Sequence, residues 1–181
     1  MEQGLSVGVF VVGLVTFGLF SLAVRYHFHS VKMPGGMKVI SAVSFSAFVL
    51  FAVFLFRQPA DPVYQVVSLC LMLVSLSLFG WAVITTRAFE FNLAYDPAAP
   101  KAICDLGPYR HVRHPFYLAY CIFWTATFVA TLHWTQIATA CVLLILYIIA
   151  AKGEERGFLA SPLADAYGQY RGRTGFIIPG L

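Results

Sequence analysis

His111-Val-Arg-His-Pro-Phe-Tyr-Leu-Ala-Tyr-Cys-Ile-Phe-Trp-Thr-Ala-Thr-Phe-Val-Ala-Thr-Leu-His-Trp134 begins with two histidines and an arginine, and then runs from Phe116 to Leu132 without a charge. After the single polar residue His133, a second uncharged run extends from Trp134 to Ala151. A helix needs about 20 largely apolar residues, with a lower limit near 17, to cross a hydrocarbon core of about 30 Å. Both runs meet that requirement, and one residue between them predicts a helical hairpin whose turn barely leaves the membrane. Outward from this hairpin, three further runs qualify: Leu5 to Val24, Val39 to Phe56 and Val63 to Ile84. The expected fold is an all-α membrane protein, a single domain over residues 1–181 with five transmembrane helices.

Composition agrees. The hydrophobic set makes up 60% of the 181 residues and charged residues 11%, against roughly 25% charged in soluble domains. The formal charge of +4 comes from basic residues placed singly between apolar runs. That pattern argues against a nucleic-acid partner and for bilayer orientation. The four cysteines, Cys70, Cys104, Cys121 and Cys141, form no Cys-x-x-Cys pair, so neither a disulfide framework nor a zinc site is expected. His27-x-His29 and His111-x-x-His114 lack the further ligands that a metal centre needs. The run from Leu5 has no basic segment before it and is longer than the apolar part of a leader peptide, so it reads as a retained span.

Cytoplasmic loops collect Lys and Arg. The segment after the first span holds Arg25, Lys32 and Lys38, the next only Arg57, and the third Arg87, Lys101, Arg110 and Arg113. The hairpin turn holds none and the tail holds Lys152, Arg156, Arg171 and Arg173. With the N-terminus outside, eleven fall inside and one outside. The start of span four and the end of span five then share the cytoplasmic face with the tail.

Boundaries carry local signals. Asp61-Pro62 is a side-chain cap followed by a proline at the first helical position, and His114-Pro115 reads the same way. Pro34-Gly35-Gly36 breaks the chain between spans one and two, and Asp96 to Pro100 predicts an extended loop. In the tail, Ser161-Pro162 reads as cap plus first residue of a short amphipathic helix with Leu163, Ala166, Tyr167 and Tyr170 on one face. The apolar clip Phe176 to Pro179 follows it, and the tail should lie along the interface.

Chemistry concentrates in two places that the hairpin brings together. One is Gly107-Pro-Tyr-Arg-His-Val-Arg-His-Pro-Phe-Tyr117; the other is Lys152-Gly-Glu-Glu-Arg156. Each charge of the second would cost about 2.5 to 3.5 kcal/mol at the membrane centre, so it belongs at the interface. Arg113, His114, Glu154 and Glu155 can converge on one pocket. Adjacent glutamates on a helix point about 100° apart, so one of the two should enter it more readily.

Gly107-Pro108-Tyr109, then Arg113-His114-Pro115-Phe116-Tyr117, then Glu154-Glu155-Arg156 after a hairpin, and finally Tyr167-Gly-Gln-Tyr170-Arg171 form an ordered set. The set resembles the isoprenylcysteine carboxyl methyltransferases and the related phospholipid methyltransferases, over about residues 85–181. The resemblance implies a membrane-embedded enzyme that takes its methyl group from S-adenosyl-L-methionine and its lipid or lipidated acceptor from the bilayer. By the same resemblance the donor contacts fall on Lys101, Ala102, Ile103 and Cys104, on Gly107 and Tyr109, on His114, Pro115, Phe116 and Tyr117, and on Glu154 and Glu155. Arg113 and His114 are then the candidate catalytic residues: Arg113 would grip an anionic acceptor, and towards an amine His111, His114 or Glu155 is the candidate base. No metal is implied. Ala150 stands where prenylcysteine-methylating members carry an arginine, so carboxylate O-methylation and amine N-methylation both remain open. An NADPH-dependent membrane reductase of the sterol-reductase type shares a similar Arg-His-Pro-x-Tyr stretch, and a non-catalytic lipid-binding protein could keep the scaffold. No protein partner is evident.

Overall fold

A computed structural model describes residues 2–28, 33–87, 100 and 102–180. The expected loop from Asp96 falls almost wholly outside these residues, as do His29 and Lys101. All regular elements among the described residues are helical: α1 (Glu2–Tyr26), α2 (Gly35–Arg57), α3 (Pro62–Thr86), α4 (Pro115–Thr131), α5 (Trp134–Leu159) and α6 (Ala164–Arg173), with a 3₁₀ turn at Gly107–Arg110.

The helices are inside-out by the standard of a soluble protein. Val7, Val11, Leu14 and Leu22 on α1, Phe45 and Phe56 on α2, and Val142, Ile145 and Ile149 on α5 lie exposed, which is stable only where lipid replaces water. Four helices, α1, α2, α3 and α5, are long and apolar enough to cross a membrane, and the chain is a multi-pass membrane protein. Helix α4 is shorter, at 17 residues, or about 26 Å of rise. It packs most extensively against α3; α1 packs on α3 and meets α4 through Phe17 and Phe20, and α5 reaches both α4 and α2.

Small hydroxyl residues allow the close α3–α4 approach. Ser68 Oγ donates to the Ala126 carbonyl at 2.8 Å and Ser75 Oγ to the Ala119 carbonyl at 2.7 Å, both fully buried. In lipid such bonds satisfy polar groups that have no water to turn to. Towards α1 and α2 the core is aromatic: Phe17 stacks on Phe48 with centroids 4.7 Å apart, and Phe20 meets Phe79 at 4.6 Å and Phe123 at 5.4 Å.

Helix boundaries follow the sequence signals with instructive exceptions. Asp61 Oδ1 accepts from the Val63 amide at 2.9 Å, with Pro62 opening α3 as expected. Pro115 likewise opens α4, but His114 makes no capping bond; its imidazole is used elsewhere. Pro34, not the glycines, ends the break after α1, and α2 starts at Gly35. A glycine in a first turn costs little because the amides there have no intrahelical partner. Ser161-Pro162 forms a turn before α6, which starts at Ala164: Ser161 Oγ accepts from the Leu163 amide at 3.1 Å, so the serine caps a turn and not the helix.

The hairpin turn is two residues long. Leu132 takes the left-handed conformation at φ 48°, which costs a non-glycine residue roughly 1–2 kcal/mol. His133 then caps α5, its Nδ1 accepting from the Thr135 amide at 3.3 Å, while its ring stacks on Phe54 at 3.6 Å. At its other end α5 runs on past Ala151 to Leu159. The polar segment at Lys152 therefore stays helical, and both glutamates are carried on a rigid element.

Candidate functional site

The site sits where α4 begins and α5 leaves its apolar stretch. Directly before α4 the chain is pinned by the segment after α6: Val112 and Gly175 form a parallel bridge, in which the Arg113 amide donates to the Gly175 carbonyl at 2.8 Å and the Gly175 amide to the His111 carbonyl at 3.1 Å. A side chain at position 175 would collide with the Ile178 carbonyl, so the bridge requires glycine. Tyr170 of α6 is buried and its hydroxyl donates to the Tyr109 carbonyl at 2.8 Å. The 3₁₀ turn that carries Tyr109 starts at Gly107, with φ 53°, and a Cβ there would strike Thr85 of α3.

Arg113 is almost wholly occupied. Its Nε donates to Glu155 Oε1 at 2.6 Å, and its Nη1 donates to the carbonyls of Thr174 and, at 3.3 Å, of Arg171. The side chains of Arg113 and Glu155 are 8% and 9% exposed, and Phe176 lies 5.6 Å from the guanidinium. Arg171 approaches the other oxygen of Glu155 at 3.9 Å.

Glu154 points into a different environment. Its Oε1 accepts from the Tyr117 hydroxyl at 2.5 Å, its Oε2 lies 3.5 Å from His114 Nδ1, and its side chain is 36% exposed. His114 joins the two carboxylates, since its Nε2 lies 3.5 Å from Glu155 Oε1. The imidazole is buried between the Tyr117 ring at 5.6 Å and the edge of Phe176 at 5.1 Å. Burial works to lower its pKa, but the hydrogen bonds and charges of Glu154 and Glu155 outweigh it and raise the value above the ordinary one. Tyr117 stacks in turn on Tyr147 at 5.5 Å, and Tyr147 accepts from Trp124 Nε1 at 3.0 Å.

The structure thus brings Arg113, His114, Tyr117, Glu154 and Glu155 into one cluster. Pro115 is buried at the helix start. Phe116 leaves the cluster: its ring lies among Phe28 at 5.2 Å, Phe79 at 5.5 Å and His27 at 5.9 Å. Tyr109 is buried, Cys104 is buried, Ile103 is half-buried and Ala102 is exposed. Burial raises the Cys104 thiol, which keeps it neutral. Reading the sequence alone missed the carbonyls of Arg171 and Thr174 and the bridge at Gly175. A backbone acceptor leaves no mark on residue type; only the glycine could have hinted at a close approach.

The sequence profile of the phospholipid methyltransferase family matches residues 63–166, more than half of the chain. The chain belongs to the phospholipid methyltransferase family. The match covers α3, the segment containing Arg113 and His114, the α4–α5 hairpin and the two glutamates. It stops short of Arg171 to Gly175, the strap that holds Arg113. Methanethiol S-methyltransferase 1 of Bradyrhizobium diazoefficiens is 30% identical over 125 residues, 61% of this chain. That stretch is 42% of the relative's own length, so the match spans less than half of the relative.

Proposed function

We propose that this phospholipid methyltransferase family member transfers a methyl group from S-adenosyl-L-methionine to a lipid-like or hydrophobic acceptor. The observation that carries the reading is the Glu154 carboxylate, a third exposed and fixed by Tyr117 and His114 at the mouth of an aromatic hairpin. The residues fit the donor. A fixed carboxylate accepts hydrogen bonds from ribose hydroxyls or an ammonium, and the faces of Tyr117 and Tyr147 suit a cationic sulfur. When bound, S-adenosyl-L-methionine supplies an already activated methyl group. The chain supplies alignment and exclusion of water. Tyr109, with Ala102 to Cys104 and Lys101 before it, completes the donor side in this reading.

Arg113 takes a positioning role. Its Nε and Nη1 donate to Glu155 and to the strap, and His114 lies between the two carboxylates, 3.5 Å from each. Arg113 is therefore not free to grip an anionic acceptor, and Ala150, at the position where prenylcysteine-methylating members carry an arginine, is buried. Neutral nucleophiles fit better: an amine, or a thiol as the name of the Bradyrhizobium relative suggests. The five-helix count, a single domain, an outside N-terminus and a cytoplasmic site complete the proposal.

The test is binding of S-adenosylhomocysteine to detergent-purified protein by calorimetry. Glu154→Ala is expected to weaken it about 10- to 100-fold, the loss of a charge-assisted hydrogen bond at about 1.5–3 kcal/mol. Micromolar NADPH binding with no response to S-adenosylhomocysteine would overturn the proposal in favour of a reductase.

A further inference from the structure

Four arginines separated by up to 63 positions in sequence meet on one groove. Arg110, Arg113, Arg171 and Arg173 line an open cleft of about 610 Å³ together with His111 and Phe176. A role in membrane orientation requires only that basic residues lie on one side of the bilayer; it does not require a shared cleft. Two of the four charges are answered: Arg113 by Glu155, and Arg173 by Asp105 at 2.7 Å. The C-terminal end of α6 accounts in part for Arg171 and Arg173, since cations are favoured there. It does not account for Arg110, which lies on the 3₁₀ turn, is exposed and has no hydrogen bond or ion pair among the described residues. Arg171 is half exposed and touches Glu155 only at 3.9 Å.

The cleft is also amphiphilic. Phe176 and Pro179 contribute apolar surface to its lining, and Ile178 beside them is 55% exposed. A cleft lined by arginines, with Phe176 and Pro179 in the same lining, on a chain whose helices expose apolar side chains, matches a group that is anionic at one end and apolar at the other. Guanidinium forks bind phosphate oxygens two at a time.

We propose that this cleft binds the phosphate of an anionic membrane lipid, as a ligand and not as the methyl acceptor. Bound there, the lipid holds Arg171 to Phe176 in the position from which Thr174 and Gly175 secure the Arg113 segment. The inference rests on the cleft alone and does not depend on the methyl-transfer reading.

The experiment uses the full chain in detergent, titrated separately with phosphatidic acid, phosphatidylcholine and inorganic phosphate. Native mass spectrometry reads occupancy, and hydrogen exchange reads protection of residues 171–176. Phosphatidic acid is expected to be retained and to slow exchange in that segment, while the same concentrations of phosphatidylcholine and inorganic phosphate do neither. Arg110→Gln, which removes no hydrogen bond or ion pair among the described residues, is expected to weaken phosphatidic acid about five-fold, as ~1 kcal/mol per arginine near an anionic surface implies. Arg110→Lys should restore most of that loss. Arg57→Gln, at the far end of the bundle beside the α4–α5 turn, should bind as the parent does. Undiminished binding by Arg110→Gln overturns the proposal. Equal binding of inorganic phosphate overturns the lipid assignment, and displacement of the lipid by S-adenosylhomocysteine would make the cleft part of the donor site instead.

Discussion

Glu154 and Glu155 are neighbours in sequence with opposite surroundings, and the difference sorts their roles. Glu155 is 7% exposed and neutralises a guanidinium that has almost no access to water. Removing one partner of such a pair leaves the other charge buried, at a cost of about 3–5 kcal/mol. Glu155→Gln is therefore expected to lower the thermal unfolding midpoint sharply, whereas Glu154→Gln, at a side chain 36% exposed, should lower it less and lose ligand affinity as well. Comparable midpoints for the two variants would contradict the division. His114 adds a pH dependence. Its folded-state pKa is raised, so the stability it contributes is complete below its ordinary value of about 6.5 and is lost as pH rises through the folded-state value. The midpoint advantage of the parent over His114→Asn should accordingly shrink from mildly acidic to alkaline pH. An advantage that stays constant would mean that the imidazole is held by packing and not by charge.

Among the elements, α3 and α4 form the tightest pair, and its tightness rests on serine. Replacing Ser75 by alanine removes one interhelical bond, at about 0.6 kcal/mol in a membrane setting. Ser75→Val adds volume to a fully buried contact and should cost more, about 1–3 kcal/mol, in unfolding measurements. Element placement was largely legible in the sequence because apolar length alone defines a span. Pro62 and Pro115 mark helix starts unambiguously, since proline lacks the amide that an interior position needs. Pro34-Gly35-Gly36 marks the break between α1 and α2 as expected, whereas the helix expected to start at Ser161-Pro162 starts at Ala164, because serine caps turns as readily as helices. The convergence of Arg113, His114, Glu154 and Glu155 was legible from the hairpin. What Arg113 does there was not: its partners are two main-chain carbonyls and a glutamate that the sequence marks no differently from Glu154. Nor could a 3.6-residue period reveal the cleft, whose arginines come from a 3₁₀ turn, a helix start and a helix end.

At the scale of the whole molecule, the basic residues among those described divide between the two ends of the helix bundle, and of these Arg57 lies at the end opposite the site. The proposed orientation puts the site in the cytoplasm. Single cysteines placed at Gln58 and at Gly172, in an otherwise cysteine-free variant, should distinguish the two ends. A membrane-impermeant maleimide added outside intact cells is expected to label position 58 and to reach position 172 only after permeabilisation. The reverse pattern would invert the topology while leaving the fold intact.

The strap formed by residues 171–175 has a consequence for biogenesis. Those residues leave the ribosome after α1 to α5 have been made, yet they close the hydrogen bonds around the Arg113 guanidinium. Insertion of these helices and completion of the site are therefore separate events in the life of the chain. With the site on the cytoplasmic face, as proposed, α1 to α5 can enter the bilayer first, and the ionic centre is assembled afterwards by a segment that does not have to cross it.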